Sequence, residues 1–378
     1  MNFSLIANTT IGGLSLTAAS ADSDPGTGLV QTIVQAGTAS TPVRVSATID
    51  GTTPAIATTS DQLVISTGIP DQNSFSIAAA PLNIEGWDLD GITSDITVKL
   101  ADHYNNPAPN GTAVYFRSSG GSVQPSCMTT DGTCKATFTS QAPREKVINP
   151  GRVVILAYAL GEESFVDLNG NGIYDTTIPD TFTDMWEPFL DANEDGLKGA
   201  SEEFVDTNAD GLYNKDGVFN GILRDAAITG STTIHVRNSV TVVLSGSAAD
   251  ITLRNILGNP IVTAALSTCV NTVPFVNTPV ELKINIVDVN GNVMPAGTKI
   301  EFSASNGTII NKPVSWTMPS TSAKTNGTFT YTVIMESDAT QLTVAPFTCT
   351  NAKKDGRLIV QVTTPKGLLT AQSFSVTD

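Results

Sequence analysis

At 378 residues the chain has room for two or three domains that each bury a core, which excludes a single small scaffold. Only 15% of the residues are charged, while Thr, Ser, Val, Ile, Ala and Gly recur throughout, the palette of short strands and turns, so an all-β fold is expected. The formal charge of −16 argues against nucleic-acid and anionic-membrane partners and favours cations.

The chain opens on strand-like segments, "FSLIANTTIGGLSL" from Phe3, "TGLVQTIV" from Thr27 and "PVRVSATI" from Pro42. The start lacks the basic region and continuous apolar stretch of a secretion signal, and no run of about 18 apolar residues offers a membrane-spanning helix. From Ile96, "ITVKLADHYNNPAPNGTAVYFRSSGGSV" alternates apolar and polar positions as a half-buried strand does, then reaches Asp102. From Leu282, "LKINIVDVNGNVMPAGTKIEFSASNGTI" does the same and reaches Asp288. In both, a Gly-Thr follows nine residues after the aspartate, at Gly111 or Gly297, and Phe116 or Phe302 five residues after that. Further on, "TDGTCKATF" matches "TNGTFTYTV", and "GRVVILAYA" matches "GRLIVQVTT".

Internal repetition on this scale signals tandem domains, and short strands with Pro- and Gly-marked turns signal antiparallel sandwiches. The expected division is a partial sandwich over residues 1–79, a second over 80–238 and a third over 239–378. The opening segments form a weaker first copy that starts at the phenylalanine strand. The chain therefore reads as a fragment of a longer repeat protein, or as one whose first unit is completed by a strand donated from another chain.

Cys127, Cys134, Cys269 and Cys349 form no CxxC pair and stand beside no histidine cluster, which argues against zinc. An even number in a Thr-rich β protein suggests disulfides and an extracellular setting. Of the three possible pairings, Cys127–Cys134, clipping the turn "CMTTDGTC", and Cys269–Cys349 are favoured.

The Val-x-Leu-x-Asp run, "NNPAPNGTAVYF", the Gly-Gly, "TTDGTCKATF" and "GRVVILAYA" together resemble the bacterial Ig-like domain of the invasin and intimin group, and the resemblance extends over all three units. It implies tandem Ig-like sandwiches serving as a stalk or adhesive module on a bacterial surface. The partners it implies are neighbouring Ig-like repeats and host-cell, matrix or glycan receptors, and it implies no catalytic residues.

An acidic insertion at 162–225 departs from that family's short domain. Between Glu162 and Asp216, 15 acidic residues face only Lys198 and Lys215, a net of −13. Three segments within it share one pattern: "FVDLNGNGIYD", "FLDANEDGLKG" and "FVDTNADGLYN". Calcium takes six to eight hard oxygens, which a loop can supply from positions 1, 3 and 5, the carbonyl at 7, and positions 9 and 12, with Gly turning the chain at 6. In the first loop these are Asp167, Asn169, Asn171, Ile173 and Asp175; position 12 is Ile178, so Asp180 or a neighbour must close the site. In the second they are Asp191, Asn193, Asp195, Leu197 and Glu202. In the third they are Asp206, Asn208, Asp210 and Leu212; position 12 is Gly217, leaving Asn214 or Asp216 as substitutes. A glutamate stands four residues before each loop, at Glu163, Glu187 and Glu202; Glu202 is at once position 12 of the second loop and the glutamate before the third, so successive loops can share ligands. Calcium, as two or more ions, is the expected cofactor, with Phe165, Phe189 and Phe204 packing inward around it. The loops resemble those of EF-hand and dockerin proteins, without the flanking helical periodicity.

His103 and His235 are the only histidines, and no nucleophile elbow, phosphate loop, dinucleotide fingerprint or zinc-protease motif occurs, so no enzymatic activity is expected. Trp87, Trp186 and Trp316 read as core or inter-domain anchors, with Trp186 the best candidate for an exposed recognition residue. The alternatives to an adhesin segment are a glycan-binding or spacer module of a secreted enzyme, and a filament subunit completed by a donated strand.

Overall fold

The computed structural model describes all residues except 7–13, 37–41, 65–67, 145–148, 177–179, 325–328 and 353, together with the side chains of Pro42 and Val64. Among the described residues the only helical element is a short 3-10 turn at Gln72–Ser74, and no helix is long and apolar enough to cross a membrane.

The alternating segment from Ile96 lies in the strand Thr93–Leu100, which buries Ser94, Ile96, Val98 and Leu100 and turns the intervening residues outward. It pairs antiparallel with Thr133–Thr139 and Phe75–Ala80. Against this sheet stands a second one, ordered Ser126–Met128, Ala113–Ser118, Arg152–Gly161, Ile234–Leu244 and Asn83–Ile84. Ile96, Val98, Phe116, Phe138, Ile155 and Val242 fill the space between them, each large side chain contributing about 2 kcal/mol by leaving water. The third unit repeats the plan with Val280–Asp288 between Ala249–Asn255 and Thr330–Glu336. Its facing sheet has Asp355–Thr363 between Lys299–Ala304 and Leu369–Thr377. The fold is thus all-β, in tandem Ig-like sandwiches.

The repeated aspartate has a structural reason. Asp102 Oδ1 accepts the N–H groups of Tyr104 and Asn106, and Asp288 Oδ1 accepts those of Asn290 and Asn292. Each buried carboxylate thereby satisfies the turn leaving its strand, and the amide of the Gly that follows, Gly111 or Gly297, bonds to Thr129 or Met318. In the first unit Asn2–Ile6 pairs with Pro42–Thr48, as Ala113–Ser118 pairs with Arg152–Gly161 and Lys299–Ala304 with Asp355–Thr363. Among the described residues no strand like Thr93–Leu100 covers that unit, and Phe3, Val34, Val45, Ala47 and Leu63 line an open groove of about 600 Å³.

The boundaries fall differently from the expected 79/80 and 238/239. Phe75–Ala80 already belongs to the second sandwich, and Ile234–Leu244 runs on to residue 244 because its last residues pair with Arg152 and Val153 and with Asn83–Ile84. Both expected cystines form, with Cα separations of 5.9 Å for Cys127–Cys134 and 6.0 Å for Cys269–Cys349. The first does more than clip a turn, since its two strands lie in opposite sheets.

Buried polar side chains hold the second sandwich to the third. Asn83 Nδ2 donates to the carbonyls of Met294 (2.7 Å) and Pro319 (3.2 Å), while its Oδ1 accepts the N–H of Thr321 (2.8 Å). Glu85 accepts from Thr364 Oγ1 (2.8 Å) and the N–H of Lys366 (3.0 Å).

Candidate metal centre

Arg152–Gly161 and Ile234–Leu244 pair residue for residue along ten positions, from Arg152 with Val243 to Gly161 with Ile234. The acidic segment is therefore the connection of an antiparallel hairpin, an insertion between paired strands. It folds against its own hairpin: Leu190 and Val205 pack on Val154 and Leu156, the residues of Arg152–Gly161 that face away from the sandwich core. A second small core joins Phe165, Tyr174 and Phe219.

Three loops with one sequence pattern take one backbone path. At position 4, Gly170, Glu194 and Ala209 all have left-handed φ, of 74°, 58° and 61°; at position 6, Gly172, Gly196 and Gly211 have φ of 82°, 78° and 77°. The second set explains the invariant Gly, since other residues resist that conformation. The side chain at position 1 gathers the loop's amides: Asp167, Asp191 and Asp206 Oδ2 accept the N–H of the position-6 glycine at 2.7, 2.9 and 2.8 Å. Position 3 (Asn169, Asn193, Asn208) accepts the N–H of position 5, and position 5 (Asn171, Asp195, Asp210) that of position 7 (Ile173, Leu197, Leu212). These bonds hold three oxygen-bearing side chains against the amides of each loop. At two positions hydrogen bonds favour the ionised carboxylate: the Gly172 amide and its neighbours lower the pKa of Asp167, and Asn214 with the Leu212 amide lowers that of Asp210.

Other expected residues divide into members and outsiders. Asp175 receives Asn169 and Asn171 Nδ2, and Asn214 Nδ2 donates to Asp210, so both position-9 groups join their loops. Asp180 joins the first, accepting the N–H of Leu168 (2.8 Å) and Asp175 (3.0 Å), whereas Ile178 lies outside the described residues. Glu202 joins the second, accepting the N–H of Asn193 (3.3 Å) and Gly199 (2.8 Å). Asp216 instead accepts from Val218 and Asn220. Glu163 stands apart as a staple, its two oxygens taken by the amides of Met185 (2.7 Å) and Asn220 (2.9 Å); burial pushes its pKa up to about 7. Phe165 is buried as expected, but Phe189 and Phe204 are only half-buried, edge-on to Tyr213. Their antiparallel bridge turns the next residues, Leu190 and Val205, to the strand instead.

Among the described residues there is no group of three His, Cys, Asp or Glu side chains that could hold a metal ion; the residue types the pattern names, Asp, Asn and main-chain carbonyls, are the hard oxygen donors that calcium takes. Trp186 is 45% exposed and stacks on Tyr213 at 5.1 Å. Trp316 packs against the third core and Trp87 against the second. Sequence reasoning missed Arg152, which grips Glu194 at position 4 of the second loop (Nε–Oε1 2.6 Å, Nη2–Oε2 2.9 Å), and His235, whose Nδ1 meets Thr207 Oγ1 at 3.0 Å.

Fold and site together define a tandem Ig-like sandwich protein with Asp/Asn loops built into a hairpin connection. No family model matches the chain, and no curated protein matches its sequence. The solved structures it is similar to include the InvE adhesin of Yersinia pseudotuberculosis (13% identity, 82% of this chain and 60% of that one, TM-score 0.22). Invasin, described as a bacterial integrin-binding protein, is another (15%, 93% and 48%, 0.27), and so is the Escherichia coli adhesin FdeC (13%, 100% and 86%, 0.29). InvE and FdeC are described as adhesins, and the all-β fold of this chain is defined by the sheets described above. The chain spans 60% and 48% of the InvE and invasin structures.

Proposed function

We propose that the chain is a structural, adhesive segment of a bacterial surface or secreted protein, stiffened by calcium held in its acidic insertion. The observation that carries this reading is the threefold recurrence of one oxygen-lined loop. Each loop presents side chains at positions 1, 3 and 5 through the same amide bonds, inside a segment of net charge −13. Like charges at that density oppose compaction, and bound divalent cations remove the repulsion while supplying the links between loop oxygens. The residues fit such ions: carboxylates, amide oxygens and carbonyls only, in loops turned by glycine. The buried Asn83 and Glu85 contacts, which fix one sandwich on the next, suit a load-bearing segment. Receptors on host cells, matrix or glycans, and further repeats in the same polypeptide, are the partners this role calls for.

The test is limited proteolysis of the whole chain with calcium and with a chelator. Chelation should expose residues 162–225 to cleavage at least tenfold faster while the sandwiches stay resistant. Equal cleavage under both conditions would sink the reading.

A further inference from the structure

The third loop has a gap. Gly217 at position 12 offers no side chain, and Asp216 is engaged by Val218 and Asn220. Another carboxylate stands at this loop. Glu187 comes from the segment before the second loop, and its Oε1 accepts the N–H of Thr207, position 2 of the third, at 2.6 Å. Its other oxygen, Oε2, is buried without a hydrogen-bond partner, on a side chain only 4% exposed. A carboxylate oxygen left so is costly unless something meets it. Glu187 lines one cavity of about 180 Å³ with Asn208 and Asn214 of the third loop. Lys215, on the same wall, is drawn aside by Asp184, 3.4 Å away.

The bond to Thr207 has counterparts. Asp180 accepts the position-2 amide of loop one, Leu168, and Glu202 the position-3 amide of loop two, Asn193. In all three loops, therefore, the carboxylate placed to close the site is anchored on the loop's first amides. The register explains where the third one comes from. Phe189 faces Phe204 in an antiparallel bridge, flanked by Leu190 N–H to Glu203 O (2.8 Å) and Val205 N–H to Pro188 O (2.7 Å). Two residues along in either direction, Glu187 comes opposite Asp206 and Glu202 opposite Asp191. The register thus brings each glutamate preceding one loop to the start of the other, where Glu187 accepts from Thr207 and Glu202 from Asn193.

We propose that loops two and three form a reciprocally closed pair for two divalent cations of the calcium type, with Glu187 completing the third site and Glu202 the second. This rests on the calcium reading and adds to it that two sites are interlocked while the first is separate. Ordering of either loop presents the glutamate the other requires, so the pair fills cooperatively.

Calcium titration of the full chain by calorimetry, with terbium luminescence sensitised by Trp186 and Tyr213 as a second readout, tests it. The unmodified chain should show one cooperative pair of ions. Glu187→Gln retains an acceptor for Thr207 N–H and should lose one ion of that pair and weaken the other about tenfold. Asp206→Asn should remove the same ion, and the double variant no more than either alone. Asp167→Asn should leave the pair untouched. Full stoichiometry and affinity in Glu187→Gln, or additive losses in the double variant, would overturn this proposal and leave the calcium reading standing. Absence of calcium binding by the unmodified chain would overturn both.

Discussion

Asp71, buried at the mouth of the insertion, accepts hydrogen bonds from the Asn73 amide, Ser164 Oγ and His103 Nδ1, the last at 3.1 Å. Burial alone would raise its pKa, but these donors, His103 foremost, outweigh it and hold the carboxyl below its ordinary value. The same bond to Asp71 raises His103, against the opposing effect of burial and with help from Glu162 and Asp102. A histidine raised in the fold contributes stability that is complete below the unfolded value near 6.5 and is lost as pH rises through the folded one. Glu162, pushed by burial up to about 7, acts in the same direction, favouring the fold below its unfolded value and losing that as pH climbs toward 7. Denaturant unfolding between pH 6 and 8.5 should therefore show stability falling. His103→Gln should remove about 1 kcal/mol of that fall, and an identical slope in the variant would exclude the His103–Asp71 bond as a source. The repeat aspartates were legible because Asp102 and Asp288 answer a demand of the local turn. Asp71 also caps a local turn, through the Asn73 amide, but its other partners, His103 and Ser164, lie 32 and 93 residues away and leave no spacing to read.

At the scale of the element, the strand Arg152–Gly161 shows how an insertion marks its host. Its counterpart Asp355–Thr363 alternates buried and open positions, whereas Arg152–Leu156 and Ala157 are buried without a break. One face, with Val153, Ile155 and Ala157, meets the sandwich core; the other, with Val154 and Leu156, meets Leu190 and Val205. The sequence carries this as "VVILAYAL" against "RLIVQVTT", an uninterrupted apolar run where alternation is expected of a strand with one open face. The loops were legible from their spacing, because a turn of this kind fixes oxygen-bearing side chains and glycine at set positions. Their docking was not, because Leu190 and Val205 follow half-buried phenylalanines that look like the better anchors. Leu156→Ala should cost about 2 kcal/mol at this contact and free the insertion rather than unfold the sandwich. Amide exchange would show it as lost protection around Leu190 and Val205 with the Thr93–Leu100 strand unchanged, and uniform loss across both would contradict independent docking.

Over the whole molecule, the insertion also reaches the joint between the second and third sandwiches. Arg152, 7% exposed, holds Glu194 with two nitrogens and gives Nη2 to the carbonyl of Ser322 in the third sandwich at 2.9 Å. Lys324 adds a contact to Glu194 Oε2 at 3.5 Å. Glu194 sits at the left-handed position 4 of the second loop, φ 58°, so its carboxylate is where the closed loop puts it. An open loop withdraws that carboxylate and leaves a buried guanidinium without its counter-charge, a loss of about 3 kcal/mol for pairs of this kind. On the proposed reading, stiffness of the joint should then depend on the state of a loop outside both sandwiches. Glu194→Ala should broaden the distance distribution between spin labels on the second and third sandwiches, and chelation of the unmodified chain should broaden it in the same way. Arg152→Met with Glu194→Ala should recover part of the stability lost in the single variant, because no charge is then stranded. Both sandwiches should keep their own melting transitions throughout. A distribution indifferent to Glu194→Ala would show that Asn83 and Glu85 hold the joint unaided; one that answers the substitution but not the chelator would place Glu194 independently of any cation.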